Sequence, residues 1–275
     1  LQLLPEAVEA KDLPGMADVD SSLLYFCRKV AERHTVALSG ECADEVFGGY
    51  PWFERSELLE ADTFPWCPDL EFRRAVVKPE LWESLQVEDY VQARYQQSLA
   101  EMPDLPGEAL WERRRREVGW LSLNWFMSTL LDRKDRMSMA AGLEVRVPFC
   151  DHHLVEYVWN IPWAMKAMNG QRKQVLRDAA EGLLPEELLR RPKSPYPKTH
   201  DPLYEQLVRA RLLTILDDRD APIHSLVDEK ALRAGLLSDA GDYGKPWFGQ
   251  LMAGPQMLAY LIQINEWMSR YHLTV

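Results

Sequence analysis

The pattern of apolar and polar positions changes character near residue 50. Before that point, apolar side chains recur at helical spacing up to Arg33, behind Asp20 or Ser21, either of which can cap the helix. A β-branched, apolar run over 35–38 follows and predicts a short buried strand. The first 50 residues therefore indicate α/β structure.

Beyond Tyr50 the periodic segments are almost all helical. Prolines break residues 51–80 into short helices and turns, and the segment 145–149 is expected to be extended because the residue before proline avoids the helical region. A long helix is predicted over about 108–140, with its tryptophans in the core. Other helices are predicted near 87–101, 151–160, 172–182, 202–216 and 247–270. The pattern predicts a mainly α protein with a remnant of a parallel sheet.

Composition narrows the class of protein. The 275 residues are 47% hydrophobic and 27% charged with a net charge of −11, which favours a soluble globular chain and argues against nucleic acid or an anionic membrane as partner. No run of about 18 apolar residues is present. The four cysteines form no CxxC pair and no zinc-like spacing, which indicates reduced thiols in a cytoplasmic protein.

The most informative stretch is 39–50, directly after the predicted strand. Small residues there, Ser39 and Gly40, allow a backbone to approach a ligand closely. If a helix begins near Glu41, then Glu41, Asp44 and Glu45 share one face. Clustered carboxylates at a strand end suit Mg²⁺, which prefers oxygen ligands and bridges to phosphates.

A second block covers 132–140 and 142–151. Its cations lie near alternating carboxylates; they are Arg133, Lys134, Arg136 and Arg146. An ion-paired helix end is the alternative to a site, because basic residues are favoured there by the helix dipole. A buried pair between Glu144 and Arg146 would fix the following loop.

Further along, Lys173 stands at a predicted helix start behind Gly170, where a lysine can reach phosphate oxygens as a point charge. An ordinary exposed lysine is the alternative reading. Arg191-Pro192-Lys193 with Ser194 forms a fourth block that can line the same cleft. His152-His153 has no partner at metal-ligand spacing, which favours a helix-start or surface role.

These four blocks, in this order, resemble the glutamine-dependent asparagine synthetases across the whole chain, from Asp12 to the C-terminal helix. Cys42-Ala43 depart from the Gly-Ser that the family often has, and Cys150 departs from its leucine; neither departure touches the carboxylates.

The resemblance implies an amidotransferase-type ligase that adenylates the aspartate side chain with Mg-ATP and transfers glutamine-derived ammonia to the acyl-adenylate. By carry-over, Ser39 and Gly40 would contact nucleotide, Asp44 would hold Mg²⁺-pyrophosphate, and Lys173 would neutralise phosphoryl charge. Glu41 would act as a catalytic group in forming or breaking down the acyl-adenylate, and Arg136 would contact phosphate. It also implies the helical part of an α/β adenine-nucleotide α-hydrolase-like (PP-loop) synthetase domain, with residues 1–50 as a remnant of the ATP-pyrophosphatase-like core and 51–275 as its helical C-terminal part.

The family's Ser-Gly-Gly-x-Asp-Ser pyrophosphate loop and its N-terminal nucleophilic cysteine occur nowhere in the sequence, which opens with Leu1. We therefore expect a C-terminal piece of the synthetase domain that is inactive alone, with ammonia supplied by a separate glutaminase domain. A homodimer stays open. A related acyl-adenylating amidotransferase, such as a β-lactam synthetase, and a non-catalytic helical interaction module are the alternatives.

Overall fold

The structure is a computed structural model that describes residues 1–68, 70–167, 170–192, 196, 201–237 and 246–275. A long helical segment, here called the spine helix, runs from Leu110 to Met139 and confirms the long helix predicted over about 108–140. A π-helical turn, Ser122–Phe126, interrupts it, and Ser122 Oγ there donates to the Val118 carbonyl at 2.7 Å. Such a turn inserts one extra residue and so shifts the faces on either side of it.

Short helices surround the spine helix. In chain order the α-helical segments are α1 (Leu4–Lys11), α2 (Asp18–Ala31), α3 (Ala43–Phe47), α4 (Ser56–Leu59), α5 (Glu71–Arg74), α6 (Pro79–Leu85), α7 (Val87–Ala100), α8 (Leu110–Leu121), α9 (Met127–Met139), α10 (His152–Trp159), α11 (Trp163–Lys166), α12 (Gln174–Ala179), α13 (Glu186–Arg190), α14 (Pro202–Asp217), α15 (Glu229–Ala234) and α16 (Gly254–Tyr271). Short 3₁₀ turns lie at Pro51–Phe53, Pro148–Cys150 and Pro222–Ser225.

Three predicted helix bounds were wrong. The helix expected over 172–182 is limited to α12, and the last helix begins at Gly254 instead of 247. Helix α2 begins at Asp18, so Asp20 and Ser21 lie inside it and do not cap it. Before α16 the backbone N–H of Trp247 donates to the Met252 carbonyl at 2.7 Å, which closes a turn where the periodicity alone suggested helix. Pro255 then occupies the first turn of α16, where its missing N–H costs nothing.

The predicted parallel sheet remnant is confirmed: β1 (Val36–Leu38) pairs in parallel with β2 (Glu144–Arg146), with Ala37 opposite Val145. The prediction of a buried strand was wrong, since Val36 is 41% and Leu38 74% exposed. The first and last residues of each strand have their side chains on one face of this two-stranded sheet, and that face is exposed to solvent. The predicted Glu144–Arg146 pair forms at 2.7 Å, but on this exposed face and not buried.

The core of the described residues is divided among four clusters. One joins α1, α14 and α16 through residues such as Val8, Leu212 and Leu258. Another is aromatic and comes largely from the irregular segment after α3, with Trp52 stacked on Tyr50 at a ring distance of 4.2 Å.

The tryptophans of the spine helix do not all lie in that core, contrary to prediction. Trp111 is 50% exposed, and Trp125 is 39% exposed with its indole N–H donating to Ser98 Oγ at 2.7 Å. A polar N–H on the ring favours a position at the edge of the core, where one end of the side chain stays wet. None of the described helices has both the length and the apolar character needed to cross a bilayer.

We predict that Leu212→Ala lowers the free energy of unfolding by about 2–5 kcal/mol, because it leaves a cavity between α14 and α16. Leu212 is fully buried, whereas Leu203 on the same helix is 56% exposed. Leu203→Ala is therefore the matched control, with an expected change of less than about 0.5 kcal/mol. Urea unfolding followed by circular dichroism measures both, and similar losses for the two variants would contradict this packing.

Candidate functional site

The loop that follows β1 carries the acidic motif, but its geometry differs from the prediction. Cys42 adopts the left-handed conformation with φ 74°, and helix α3 begins only at Ala43. Glu41 therefore lies in the turn before the helix, so the prediction of three carboxylates on one helical face was wrong. Each carboxylate instead has its own partner.

Glu41 pairs with two cations of the spine helix. Its Oε1 lies 3.4 Å from Arg133 Nη2 and 3.5 Å from Lys134 Nζ, and all three side chains are largely buried. Its other oxygen, Oε2, is buried and accepts no hydrogen bond from any residue that the structure describes. The motif loop is thus held to α9, while the buried Oε2 of Glu41 has no donor among the described residues.

Arg133 also contacts a buried polar cluster near α1 and α2. Its Nη1 lies 3.2 Å from Met16 Sδ, and it stands close to Asp20. Burial raises the pKa of the Asp20 carboxyl, an effect that Lys11 and Arg133 oppose. Asp20 accepts the backbone N–H of Met16 at 2.7 Å. The contacts of this cluster hold the Arg133 guanidinium in place while its Nη2 faces Glu41.

Asp44 pairs with Lys173, which is distant in sequence. The Lys173 Nζ to Asp44 Oδ1 distance is 2.7 Å, and both side chains are less than one quarter exposed. Lys173 stands at the start of α12 with φ 58°, a left-handed conformation that is uncommon for a residue other than glycine. The structure confirms the predicted helix-start position of Lys173 and brings it against the acidic motif.

A glycine makes this approach geometrically feasible. A Cβ on Gly49 would lie 1.8 Å from Asp44 Oδ1 and 2.8 Å from Lys173 Cε. The φ of Gly49 is not in the left-handed region, so space and not backbone conformation requires glycine here. The sequence contains Gly48-Gly49, but the role of Gly49 in the ion pair was missed because Lys173 is far away along the chain.

Glu45, the third carboxylate, has a structural role. The Tyr50 hydroxyl donates to Glu45 Oε1 at 2.7 Å, and both residues are buried. Burial and the Glu45 charge raise the pKa of Tyr50 well above its ordinary value, so the phenol stays protonated. This hydrogen bond ties α3 to the aromatic core.

The remaining predicted residues occupy different places. The backbone N–H of Ser39 donates to the Arg146 carbonyl at 2.9 Å. The space beside Gly40 is open, since a Cβ there would meet no atom within 4 Å. Arg136 is about half exposed and pairs with Asp12 and Asp132. The structure therefore does not bring Arg136 to Glu41 or Asp44. Lys193 and Ser194 lie outside the described residues.

The two cysteine positions that depart from the family pattern contact each other. The Cys42 thiol is buried and hydrogen-bonded to Cys150, and burial together with that bond raises its pKa. Cys150 Sγ also lies 3.8 Å from Met127 Sδ. A thiol with a raised pKa has little thiolate character, which fits packing between the motif loop and the 148–150 turn.

Among the described residues, no group of three metal-ligating side chains includes Asp44. In the described part of the chain the one group of three metal-ligating side chains is Asp151, His152 and His153, all exposed and within 4.8 Å of one another. The expectation that this His pair lacks a partner at metal-ligand spacing was wrong, although His152 does begin α10 and Asp151 caps it. One carboxylate, that of Asp44, fits Mg²⁺ only where substrate phosphates and water supply the other oxygens.

The described structure is mainly helical with a small parallel sheet, an architecture consistent with a synthetase domain. The asparagine synthase family profile matches residues 1–269. Glutamine-hydrolyzing asparagine synthetase 3 of Bacillus subtilis (strain 168) is 51% identical over 272 residues, which is 99% of this chain and 44% of that protein. Asparagine synthetase 1 of the same organism is 31% identical over 226 residues, 70% of this chain and 35% of that protein.

The asparagine synthetase of Mesocricetus auratus is 45% identical over a shorter stretch of 67 residues, 23% of this chain. The chain spans less than half the length of these curated relatives. The chain belongs to the asparagine synthase family.

We predict that Gly49→Ala lowers the free energy of unfolding by about 1–3 kcal/mol, because its methyl group would displace Asp44 or Lys173. Gly40→Ala in the same motif is the matched control for stability, since a Cβ there meets no atom within 4 Å. Chemical denaturation of both variants measures the difference. Equal stability of the two would show that the Asp44–Lys173 pair does not need the space at Gly49.

Proposed function

We propose that the chain is the C-terminal part of a PP-loop synthetase domain of a glutamine-dependent asparagine synthetase. In this proposal residues 1–50 belong to the ATP-pyrophosphatase-like core and 51–275 form its helical part. The observation that carries the proposal is the Lys173–Asp44 pair at 2.7 Å, which joins two motif blocks that are far apart along the chain. The curated relatives support it, since they are named glutamine-hydrolyzing asparagine synthetases.

The proposed reaction begins when the aspartate side-chain carboxylate attacks the α-phosphorus of ATP and pyrophosphate leaves. Negative charge on the phosphoryl oxygens must be neutralised, and a lysine held by a single carboxylate can turn to those oxygens. Mg²⁺ bound to pyrophosphate oxygens would supply further positive charge, with Asp44 as its protein ligand. Ser39 and Gly40 would lie against the nucleotide, where the open space at Gly40 accommodates a ligand.

In the second step ammonia attacks the acyl carbon of the adenylate and AMP leaves. The attacking nitrogen must lose a proton, and Oε2 of Glu41, which has no donor among the described residues, is the proposed acceptor. Arg133 and Lys134 hold the carboxylate in place through its other oxygen. Arg136, which faces Asp12, would have to leave that pair before it could contact phosphate. We further propose a cytoplasmic enzyme that receives its ammonia from a glutaminase domain.

We predict that Glu41→Gln and Lys173→Met each reduce asparagine synthesis on the order of 100-fold or more in the protein expressed from its complete reading frame, while glutaminase activity is retained. The exposed ion pair of Lys29 with Glu32 provides matched controls, Lys29→Met and Glu32→Gln, which should leave synthesis unchanged. Asparagine formation and glutamate release are measured in parallel. Undiminished synthesis in either site variant would refute its assigned role.

We predict that the 275-residue chain alone binds Mg-ATP more weakly than micromolar, because its sequence contains no Ser-Gly-Gly-x-Asp-Ser loop to hold pyrophosphate. Isothermal titration calorimetry measures this affinity. A micromolar dissociation constant would show that the residues after β1 suffice for nucleotide binding. In the complete protein, ATP–pyrophosphate exchange with aspartate or with larger carboxylates separates this function from that of a β-lactam synthetase.

A further inference from the structure

A cavity of about 340 Å³ lies between the first half of the spine helix and the helices α3, α10 and α11. Its apolar wall includes Val46, Leu123, Trp159 and Trp163. Such a volume and such a lining are typical of a small-molecule site.

The cavity lies apart from the Asp44–Lys173 pair. Helix α3 stands between the two, because Asp44 pairs with Lys173 while its neighbours Glu45 and Val46 line the cavity. A ligand in the cavity would thus contact the other side of the helix that carries Asp44.

Lys166, at the end of α11, is the unusual member of the lining. It is only 9% exposed, and its ammonium makes no hydrogen bond or ion pair with any described residue. Burial alone lowers the pKa of Lys166 to about 8. A cation removed from water without a counter-ion is destabilising, so an anion that reached it would gain a strong interaction.

Arg115 adds a second cation to the same lining. Its Nη1 donates to the Trp111 carbonyl at 3.1 Å and its guanidinium lies 5.8 Å from the Trp163 ring, but its buried Nε has no acceptor among the described residues. The Nε is closed to solvent, so Arg115 contributes its positive charge to the lining, and the ammonium of Lys166 is the donor that lacks a partner among the described residues.

The carboxylates of the lining do not fill this role. Glu45 accepts from Tyr50, Glu108 pairs with Arg116, and Asp104 pairs with Arg113. Glu112 also lines the cavity, and within the described part of the chain it forms no ion pair with Lys166 or Arg115.

We propose that this cavity binds a small organic carboxylate with an aromatic or branched apolar body. The carboxylate pairs with Lys166 in a lining that also carries the Arg115 cation, and the body packs against Trp159 and Trp163. This site goes beyond the proposed synthetase function and does not depend on it.

Calorimetry of the 275-residue chain with phenylacetate and with its neutral counterpart phenylacetamide tests the charge requirement. Phenylacetate should bind about tenfold more tightly than phenylacetamide, since a charge-assisted hydrogen bond replaces a neutral one. Lys166→Met should remove that advantage and leave phenylacetamide binding unchanged. Lys29→Met, at an exposed lysine, is the matched control and should change neither affinity.

Equal affinities for the two compounds, an unchanged phenylacetate affinity in Lys166→Met, or no phenylacetate binding at millimolar concentration would each overturn the proposal. The melting temperature of Lys166→Met should not fall, because the substitution removes an uncompensated buried charge.

The location of the bound ligand is tested separately at Gly119, where a Cβ would meet only Trp159 at 3.7 Å. Gly119→Leu should abolish binding of both compounds by filling the cavity, whereas Gly119→Ala should retain it.

Discussion

The attachment of Glu41 to the spine helix is the interaction on which the arrangement of the site depends. A single carboxylate lies 3.4 Å from Arg133 and 3.5 Å from Lys134, in a region that is largely closed to water. Charges in such surroundings attract more strongly than on the surface, and losing one partner would leave the others buried and uncompensated. The end of the same helix leads directly into β2, which pairs with the strand that precedes Glu41. Sheet and ion pairs thus fix the loop at both ends.

The second constraint is space beside α3. Asp44 and Lys173 meet only because position 49 has no side chain, and Gly48 likewise lies where a Cβ would be 2.3 Å from the Trp163 ring. The two glycines therefore let α11 and the start of α12 close onto the motif. The packing of Trp163 against Gly48 and the ion pair of Asp44 with Lys173 beside Gly49 therefore depend on the same two-glycine turn.

Much of the helical fold could be predicted from periodicity, including the spine helix and α14, and the strand pair was predicted as a remnant of a parallel sheet. Burial was predicted less well: Leu38 lies on an uncovered sheet face, and Trp125 lies at the edge of the core. Within the site, residue type and motif order indicated Glu41, Asp44 and Lys173, but not their partners. The left-handed Cys42 turn, which separates Glu41 from α3, depends on tertiary packing that local sequence does not encode.

We propose that Asp44 and Lys173 act as one unit on phosphate. A double-mutant cycle of Asp44→Asn and Lys173→Met on aspartate-dependent ATP–pyrophosphate exchange, in the protein expressed from its complete reading frame, tests it most directly. If the pair acts as a unit, the double variant should lose no more exchange activity than the more impaired single variant. Losses that multiply, or single variants with undiminished exchange, would contradict the account.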